Sequence, residues 1–283
     1  MISDKIRSMD DRNFSKEQNC IDVMRELNQF KVFDSHFHII DKNFPLVPNQ
    51  GYLPDNFSVE DYKKRIKNYN IVGGAVVSGS FQAFDQTYLL AALKKLGPGF
   101  VGVTQLPADV SDNELFKLNE AGVRAIRFNL KRGGSECVEN LERFAKRVHD
   151  TVGWHTELYA DSKDLLELHK MLISLPSVSI DHLGLSKAGF SNLLSLIEKG
   201  VYGKATGFSR VDFDVKKAIK EIIAINPNAL VFGTDLPSTR APKQYSDKDF
   251  FMIIDAIGEK MAKKVFYENA VSLYQLQNTE KNL

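Results

Sequence analysis

The chain has 283 residues, 43% of them hydrophobic, and 37 Lys and Arg against 36 Asp and Glu give a formal net charge of +1. This composition is typical of a soluble globular protein, and the near-neutral charge excludes the basic footprint of a nucleic-acid or acidic-membrane binder. No apolar run approaches the ~20 residues of a membrane helix, and from the polar N-terminus we expect no signal peptide. We therefore expect a cytoplasmic protein without a nucleic-acid or membrane partner, and a homo-oligomer stays possible.

The two cysteines point to the same compartment. Cys20 and Cys137 lie far apart and show no CxxC spacing. A disulfide framework or a structural zinc finger is therefore not expected.

Eight short runs rich in β-branched and apolar residues follow one another along the chain, and amphipathic stretches with helical spacing separate them. The runs are Lys31–His38, Ile71–Gly79, Phe100–Thr104, Val123–Asn129, Trp154–Tyr159, Ser177–Asp181, Val201–Thr206 and Ala229–Gly233. Asp85–Leu96, Cys137–Val148 and Phe190–Ile197 are examples of the stretches between them.

This alternation predicts an α/β protein with the TIM (β/α)8-barrel fold. We expect residues 1–30 to be an N-terminal extension and residues 31–283 to form a single domain. A doubly wound open sheet is the alternative. It is disfavoured because no Gly-rich GxGxxG turn follows the first run, where that fold would bind a nucleotide.

Polar side chains recur at the carboxyl ends of these runs. They are His36 and His38, Ser80, Arg127, Tyr159, His182, Arg210 and Asp235. In a (β/α)8 barrel those ends form one rim, and the active site lies on that rim. The sequence therefore predicts that side chains from distant segments converge in one site.

The segment Asp34-Ser-His36-Phe-His38 carries the most specific motif. Residues two apart on a strand point to the same face, so all three side chains are expected to line the barrel interior. Paired imidazoles can bind a metal or donate hydrogen bonds to a substrate oxygen. The alternative is a pair of structural histidines. His155, at the start of the fifth run, is expected to be structural.

Two further motifs end buried runs. His182 ends the sixth run, in Ile-Asp-His-Leu-Gly, and Asp235 ends the eighth, in Phe-Gly-Thr-Asp-Leu-Pro. A carboxylate at a half-buried rim can accept a proton from water. The alternative interpretation of Asp235 is an N-cap or an Asx turn before Pro237.

Several cations share the predicted rim of this near-neutral protein. Arg127 ends the fourth run and Arg132 follows in its loop, while Arg210, Arg240 and Lys243 come after the last two runs. Guanidinium groups bind carboxylates through paired hydrogen bonds. The clustering predicts a small anionic ligand.

From about Val32 onward the chain resembles the amidohydrolase-related family of barrel hydrolases and, within it, the pyrone-dicarboxylate lactonases. The resemblance rests on five segments in order and on an ending like ENAVSLYQL, which contains Tyr274. The segments are DSHFH, RFNLKR, GWHTELY, IDHLG and FGTDLP. The chain departs from the lactonase pattern in a loop one residue shorter after Arg127 and in Ser238-Thr239-Arg240.

The resemblance implies a hydrolase that opens a small carboxylate-bearing lactone. It implies that Asp235 is the general base that activates water. His36, His38 and His182 would bind and polarise the scissile carbonyl. The substrate-binding residues would be Arg127, Arg132, Arg210, Tyr52, Ser80 and Tyr159.

The resemblance also bears on metal dependence. Metal-dependent members carry a histidine where Tyr159 stands and a lysine or glutamate where Arg127 stands. We therefore predict that the enzyme needs no cofactor. In the alternative, zinc would be held by His36, His38, His182 and Asp235.

Three other functions stay open. One is a zinc-dependent amide hydrolase or decarboxylase of the same superfamily. Another is a sugar-lactone hydrolase or isomerase. The third is a non-catalytic barrel that binds an acidic metabolite.

Overall fold

The computed structural model describes residues 27–276, and all eight predicted strands are present in it. The strands are β1 Lys31–Phe37, β2 Asn70–Val77, β3 Phe100–Thr104, β4 Val123–Asn129, β5 His155–Tyr159, β6 Val178–Ile180, β7 Tyr202–Ala205 and β8 Leu230–Phe232. Each lies within two residues of its predicted bounds.

A helix follows each strand. The helices are α1 Val59–Ile66, α2 Thr87–Leu96, α3 Asp112–Glu120, α4 Leu141–Val152, α5 Leu165–Ser174, α6 Phe190–Glu198, α7 Val215–Ile225 and α8 Asp247–Lys263. After α8, a π-helical turn, Lys264–Glu268, leads into the short helix α9, Asn269–Leu273. Several helices begin where a side chain caps the first turn, as Ser58, Ser111 and Asp214 do for α1, α3 and α7.

The strands form one parallel sheet in the order β1 to β8, so the TIM-barrel prediction is confirmed. An open doubly wound sheet would show a reversal of strand order, which this sheet lacks. Residues just past β8 bring the two edge strands together. Asp235 N donates to His36 O at 2.7 Å, and His38 N donates to Leu236 O at 2.7 Å. These bonds also set Asp235 beside the two histidines.

The barrel interior is divided along its axis. Its lower part is an apolar cluster of strand residues that includes Phe33, and Leu273 and Tyr274 at the end of α9 close it from below. A second apolar layer fills the space between strands and helices. The polar side chains that line the pocket lie above these layers, at the carboxyl ends of the strands.

Packing begins before β1, since Leu27 and Phe30 are buried, and Phe30 meets the rings of Phe250 and Phe266. The rest of the predicted N-terminal extension, residues 1–26, lies outside the described residues, as does Cys20. Cys137 is an exposed free thiol. Among residues 27–276, no helix has the length and apolarity needed to cross a membrane.

Candidate active site

A pocket opens at the carboxyl ends of the strands and holds the predicted site. Eight predicted residues line it: His38, Tyr52, Ser80, Arg127, Arg132, Tyr159, His182 and Arg210. The other two, His36 and Asp235, are fully buried and touch these residues from below. The structure thus brings all ten candidates together. Lys243 instead lines a neighbouring cavity.

Strand β1 places both histidines in the site, but not in the way that strict alternation predicts. The β1–β2 register shifts between Asp34 and Phe37, as it does at a β-bulge. His36 and His38 lie together, with ring centroids 5.1 Å apart. The expectation that Asp34 joins them is wrong. Its carboxylate instead accepts hydrogen bonds from Tyr62 of α1 at 3.0 Å and from the Thr234 hydroxyl at 2.7 Å.

Asp235 is anchored on one side and unpartnered on the other. Its Oδ2 accepts from Arg210 Nε at 2.8 Å. Its Oδ1 has no hydrogen-bond partner among residues 27–276 and lies 3.7 Å from His38 Nε2 and 3.9 Å from His36 Nε2. Burial raises the pKa of Asp235, but the charge of Arg210 and the adjacent imidazoles outweigh burial and hold that pKa below its ordinary value. The side chain is therefore ionised at neutral pH. It does not cap a turn, because neither of its oxygens accepts a hydrogen bond from a backbone N–H of the described residues.

Two site residues have an uncommon backbone conformation. His182 and Asp235 have φ values of 51° and 57°, in the left-handed region that non-glycine residues seldom adopt. Such strain concentrates at functional sites. Gly207 makes room for the first of them, because a Cβ there would lie 2.6 Å from His182 Nδ1 and 2.9 Å from Arg210 Cδ.

The oxygen atoms beside the two Nδ1 atoms indicate which nitrogen of each paired imidazole is free. His38 Nδ1 lies 2.7 Å from Val77 O, and a carbonyl can only accept, so the neutral ring carries its proton on Nδ1. His36 Nδ1 lies 3.3 Å from Asp181 Oδ1, which favours the same tautomer. Burial lowers the pKa of His36 to about 4, so this ring is neutral at pH 7. Both Nε2 atoms therefore present lone pairs towards Asp235.

A buried ionic network beneath the pocket escaped the sequence analysis. Asp181 accepts from Arg127 Nη2 at 2.7 Å, and its other oxygen lies 3.7 Å from Lys204 Nζ. Lys204 in turn donates to Glu157 at 2.5 Å. Asp181, Lys204 and Glu157 are all fully buried. One feature of the sequence could have predicted this network: Lys204 is an ionisable residue inside the short strand β7.

The network continues to the barrel floor. Glu157 Oε1 accepts from the Tyr274 hydroxyl at 2.7 Å and lies 3.1 Å from His155 Nε2. His155 is fully buried there, below the pocket, and its ring packs edge-on against Tyr274. It supports the network and is remote from the rim.

A metal-ligand set is present among the described residues. Donor atoms of His36, His182 and Asp235 all lie within 4.8 Å of one another. Their number and type fit a divalent cation, and the lone pair on His36 Nε2 suits a ligand. Against this, Arg210 already binds Asp235, and His38 is not part of the group.

The family assignment agrees with this geometry. The family model described as amidohydrolase matches residues 33–276. The chain belongs to the amidohydrolase family. It is accordingly a hydrolase, and the resemblance stated from the five motifs is confirmed.

Relatives with assigned activities cover most of the chain. A 2-pyrone-4,6-dicarboxylate hydrolase of Comamonas testosteroni is 26% identical, over 87% of this chain and 92% of its own length. A D-galactarolactone isomerase of Agrobacterium fabrum (strain C58) is 25% identical, over 76% and 80%. The structure of a probable 2-pyrone-4,6-dicarboxylic acid hydrolase from Acinetobacter baumannii shares the fold with a TM-score of 0.75, at 21% identity, over 86% of this chain and 99% of that one.

Proposed function

We propose that the protein hydrolyses a small lactone that bears carboxylate groups, and that Asp235 accepts the proton of the attacking water. The relatives named above act on lactones, and the pocket is lined by cations. One observation carries the mechanism. The Asp235 Oδ1 atom is buried, ionised and without a hydrogen-bond partner, directly opposite two imidazole nitrogens.

In this mechanism the paired imidazoles hold the water. The Nε2 lone pair of either His36 or His38 can accept one of its two hydrogens, which leaves the other hydrogen for Asp235 Oδ1. Neither Nε2 can donate to a carbonyl while the rings are neutral. This role for His36 and His38 differs from the one that the resemblance implies, in which they polarise the scissile carbonyl. A water between these nitrogens and Asp235 would be oriented for transfer of one proton to Oδ1.

The developing oxyanion needs donors from the other side of the pocket. Burial lowers the pKa of His182 well below its ordinary value, so this ring is neutral, and it lies beside Tyr159 with ring centroids 5.1 Å apart. The N–H of its neutral ring and the Tyr159 hydroxyl are candidate donors. Arg127 retains one N–H on each terminal nitrogen after its bonds to Asp181 and to Ser78 O. Such donors stabilise an oxyanion by about 3 kcal/mol each.

The substitution Asp235→Asn tests the base. The amide cannot take a proton, so kcat should fall roughly 10²–10⁴-fold while the fold persists. Turnover would be measured on 2-pyrone-4,6-dicarboxylate and on aldonolactones, and folding by circular dichroism. Asp109→Asn, which removes an exposed carboxylate from the loop after β3, outside the pocket, is the matched control. Near-normal turnover by the Asp235 variant would exclude this role.

We propose that the reaction needs no metal. The support is electrostatic: Arg210 occupies one oxygen of Asp235, and Lys204 and Arg127 flank Asp181 behind His36. Exhaustive chelation should therefore leave kcat unchanged, and metal analysis of the purified protein should find less than one equivalent. Loss of turnover on chelation, with recovery on adding zinc, would contradict this proposal.

Zinc-dependent hydrolysis is the second candidate, and the outward lone pair of His36 favours it. His36, His182 and Asp235 would hold the ion, which would supply a bound water of lowered pKa. The Asp181 carboxylate behind His36 is the kind of partner that metal-binding histidines use.

A further inference from the structure

The inner part of the pocket is charge-balanced before a substrate arrives. Three buried carboxylates are paired with three buried cations. The pairs are Arg127–Asp181 at 2.7 Å, Lys204–Glu157 at 2.5 Å and Arg210–Asp235 at 2.8 Å. An anionic substrate therefore meets little net positive charge there, and its carboxylates require cations elsewhere in the pocket.

Arg132 and Arg240 are such cations. Both line the pocket, and both also line its outer extension above Tyr159. Within residues 27–276, no carboxylate lies within salt-bridge distance of either guanidinium group. The two guanidinium groups repel each other: burial, and after it the charge of Arg132, lowers the pKa of Arg240. Like charges held together without a counter-ion favour binding of an anion.

The partners of Arg240 are all neutral. Its guanidinium lies over the Tyr52 ring, 4.4 Å from the centroid, and donates to Asn49 Oδ1 at 3.3 Å and to Asn49 O. Asn49 and Tyr52 close a tight turn, and Asn49 Nδ2 also donates to Arg132 O at 3.2 Å. The turn thus joins the loops that carry the two arginines. Among residues 27–276, the N–H groups of Arg240 Nε and of the Arg132 guanidinium have no acceptor, so they can donate to a ligand.

We propose that Arg240 is a specificity-determining residue that binds, together with Arg132, a substrate carboxylate remote from the scissile bond. This inference rests on the proposed lactone hydrolysis and narrows its substrate class to lactones with an acid group that reaches the outer rim. A planar guanidinium binds such a group through two parallel hydrogen bonds. The inner groups are left to bind the lactone carbonyl and the water.

The test compares one diacid with its two monoacids: 2-pyrone-4,6-dicarboxylate, 2-pyrone-4-carboxylate and 2-pyrone-6-carboxylate. Arg240→Met should raise the KM and Kd of the diacid roughly 10- to 100-fold, with kcat changed less than threefold. One monoacid should lose affinity in the same way, and the other should be unaffected. Arg240→Lys should recover part of the lost affinity, because lysine restores the positive charge but not the two parallel hydrogen bonds of the guanidinium group.

Lys243→Met is the matched control, because it removes an exposed cation from the same loop but outside the pocket. An Arg240 that only holds the Asn49–Tyr52 turn predicts equal losses for the diacid and both monoacids. That result, or no loss in Arg240→Met, would overturn the inference.

Calorimetric Kd values separate this inference from the proposed function. Suppose that the wild type binds the diacid more tightly than either monoacid and turns over no lactone, and that Arg240→Met loses the preference for the diacid over the monoacid whose affinity it leaves unchanged. The hydrolysis proposal then fails and the Arg240 inference stands. If the wild type binds the diacid no more tightly than the monoacids, the Arg240 inference fails whatever the turnover.

Discussion

At the scale of single residues, the pairing of Arg210 with Asp235 decides how the site can work. The guanidinium binds one carboxylate oxygen at 2.8 Å and leaves the other free towards the imidazoles. It also keeps Asp235 ionised, since its charge lowers the pKa of a group whose burial would raise it. As the proposed base, Asp235 would therefore stay ionised at acid pH, but its proton affinity would be low.

Arg210→Met should move the acid limb of the kcat–pH profile to higher pH. With the cation gone, burial dominates and the pKa of Asp235 rises, so the carboxylate is protonated at pH values where the wild type keeps it ionised. The profile would be recorded at saturating substrate from about pH 4 to 8, because KM should also rise. An acid limb at the same pH in both proteins would contradict the assignment of Asp235 as base.

At the scale of elements, the loops that follow β6, β7 and β8 position the candidate catalytic residues, two of them in an uncommon backbone conformation. His182 and Asp235 both occupy the left-handed region of backbone space. Gly207, after β7, fits between His182 and Arg210 only because it lacks a side chain. The geometry of the site thus depends on close approach between loops as much as on the strands.

Gly207→Ala should displace His182 and Arg210 and lower kcat/KM roughly 10- to 100-fold, with the barrel intact. Gly200→Ala is the control, because Gly200 also has a positive φ, of 93°, but nothing lies within 4 Å of the added Cβ. It should carry the backbone cost without the loss of activity. Equal kcat/KM losses in the two variants would show that contact with His182 is irrelevant.

At the scale of the whole molecule, the ionic network runs through the barrel from the C-terminal helix to the pocket. Tyr274 binds Glu157, Glu157 binds Lys204, and Lys204 approaches Asp181 behind His36. Buried charges are tolerated because each has an opposite charge and hydrogen bonds. Removing one member leaves its partner uncompensated.

Lys204→Met should lower the free energy of unfolding by about 3–5 kcal/mol, since Glu157 would stay buried without its cation. The double variant Lys204→Met/Glu157→Gln should recover part of that loss. Lys216→Met, which breaks the exposed pair with Asp255, should cost under about 1 kcal/mol. Urea unfolding would measure all three, and a Lys204 effect as small as that of Lys216 would rule out a structural role for the network.

Local pattern was enough to predict the strands and the members of the rim. The period of apolar residues reports burial of each segment, and β3 and β4 have the bounds expected from it. Chain order then placed His36, His182 and Asp235 at strand ends that a barrel brings together. Their roles came from resemblance to the amidohydrolase family and remain proposals.

Tertiary structure alone decided which charges meet. The register shift in β1 turned Asp34 away from the histidines, and Arg127 and Arg210 proved to be paired with buried carboxylates. Sequence periodicity describes the face of a segment, whereas an ion pair joins side chains from distant segments at a distance set by the packing of both. For the same reason Arg132 and Arg240, two arginines among many in the sequence, could be distinguished only once the carboxylates of residues 27–276 had positions.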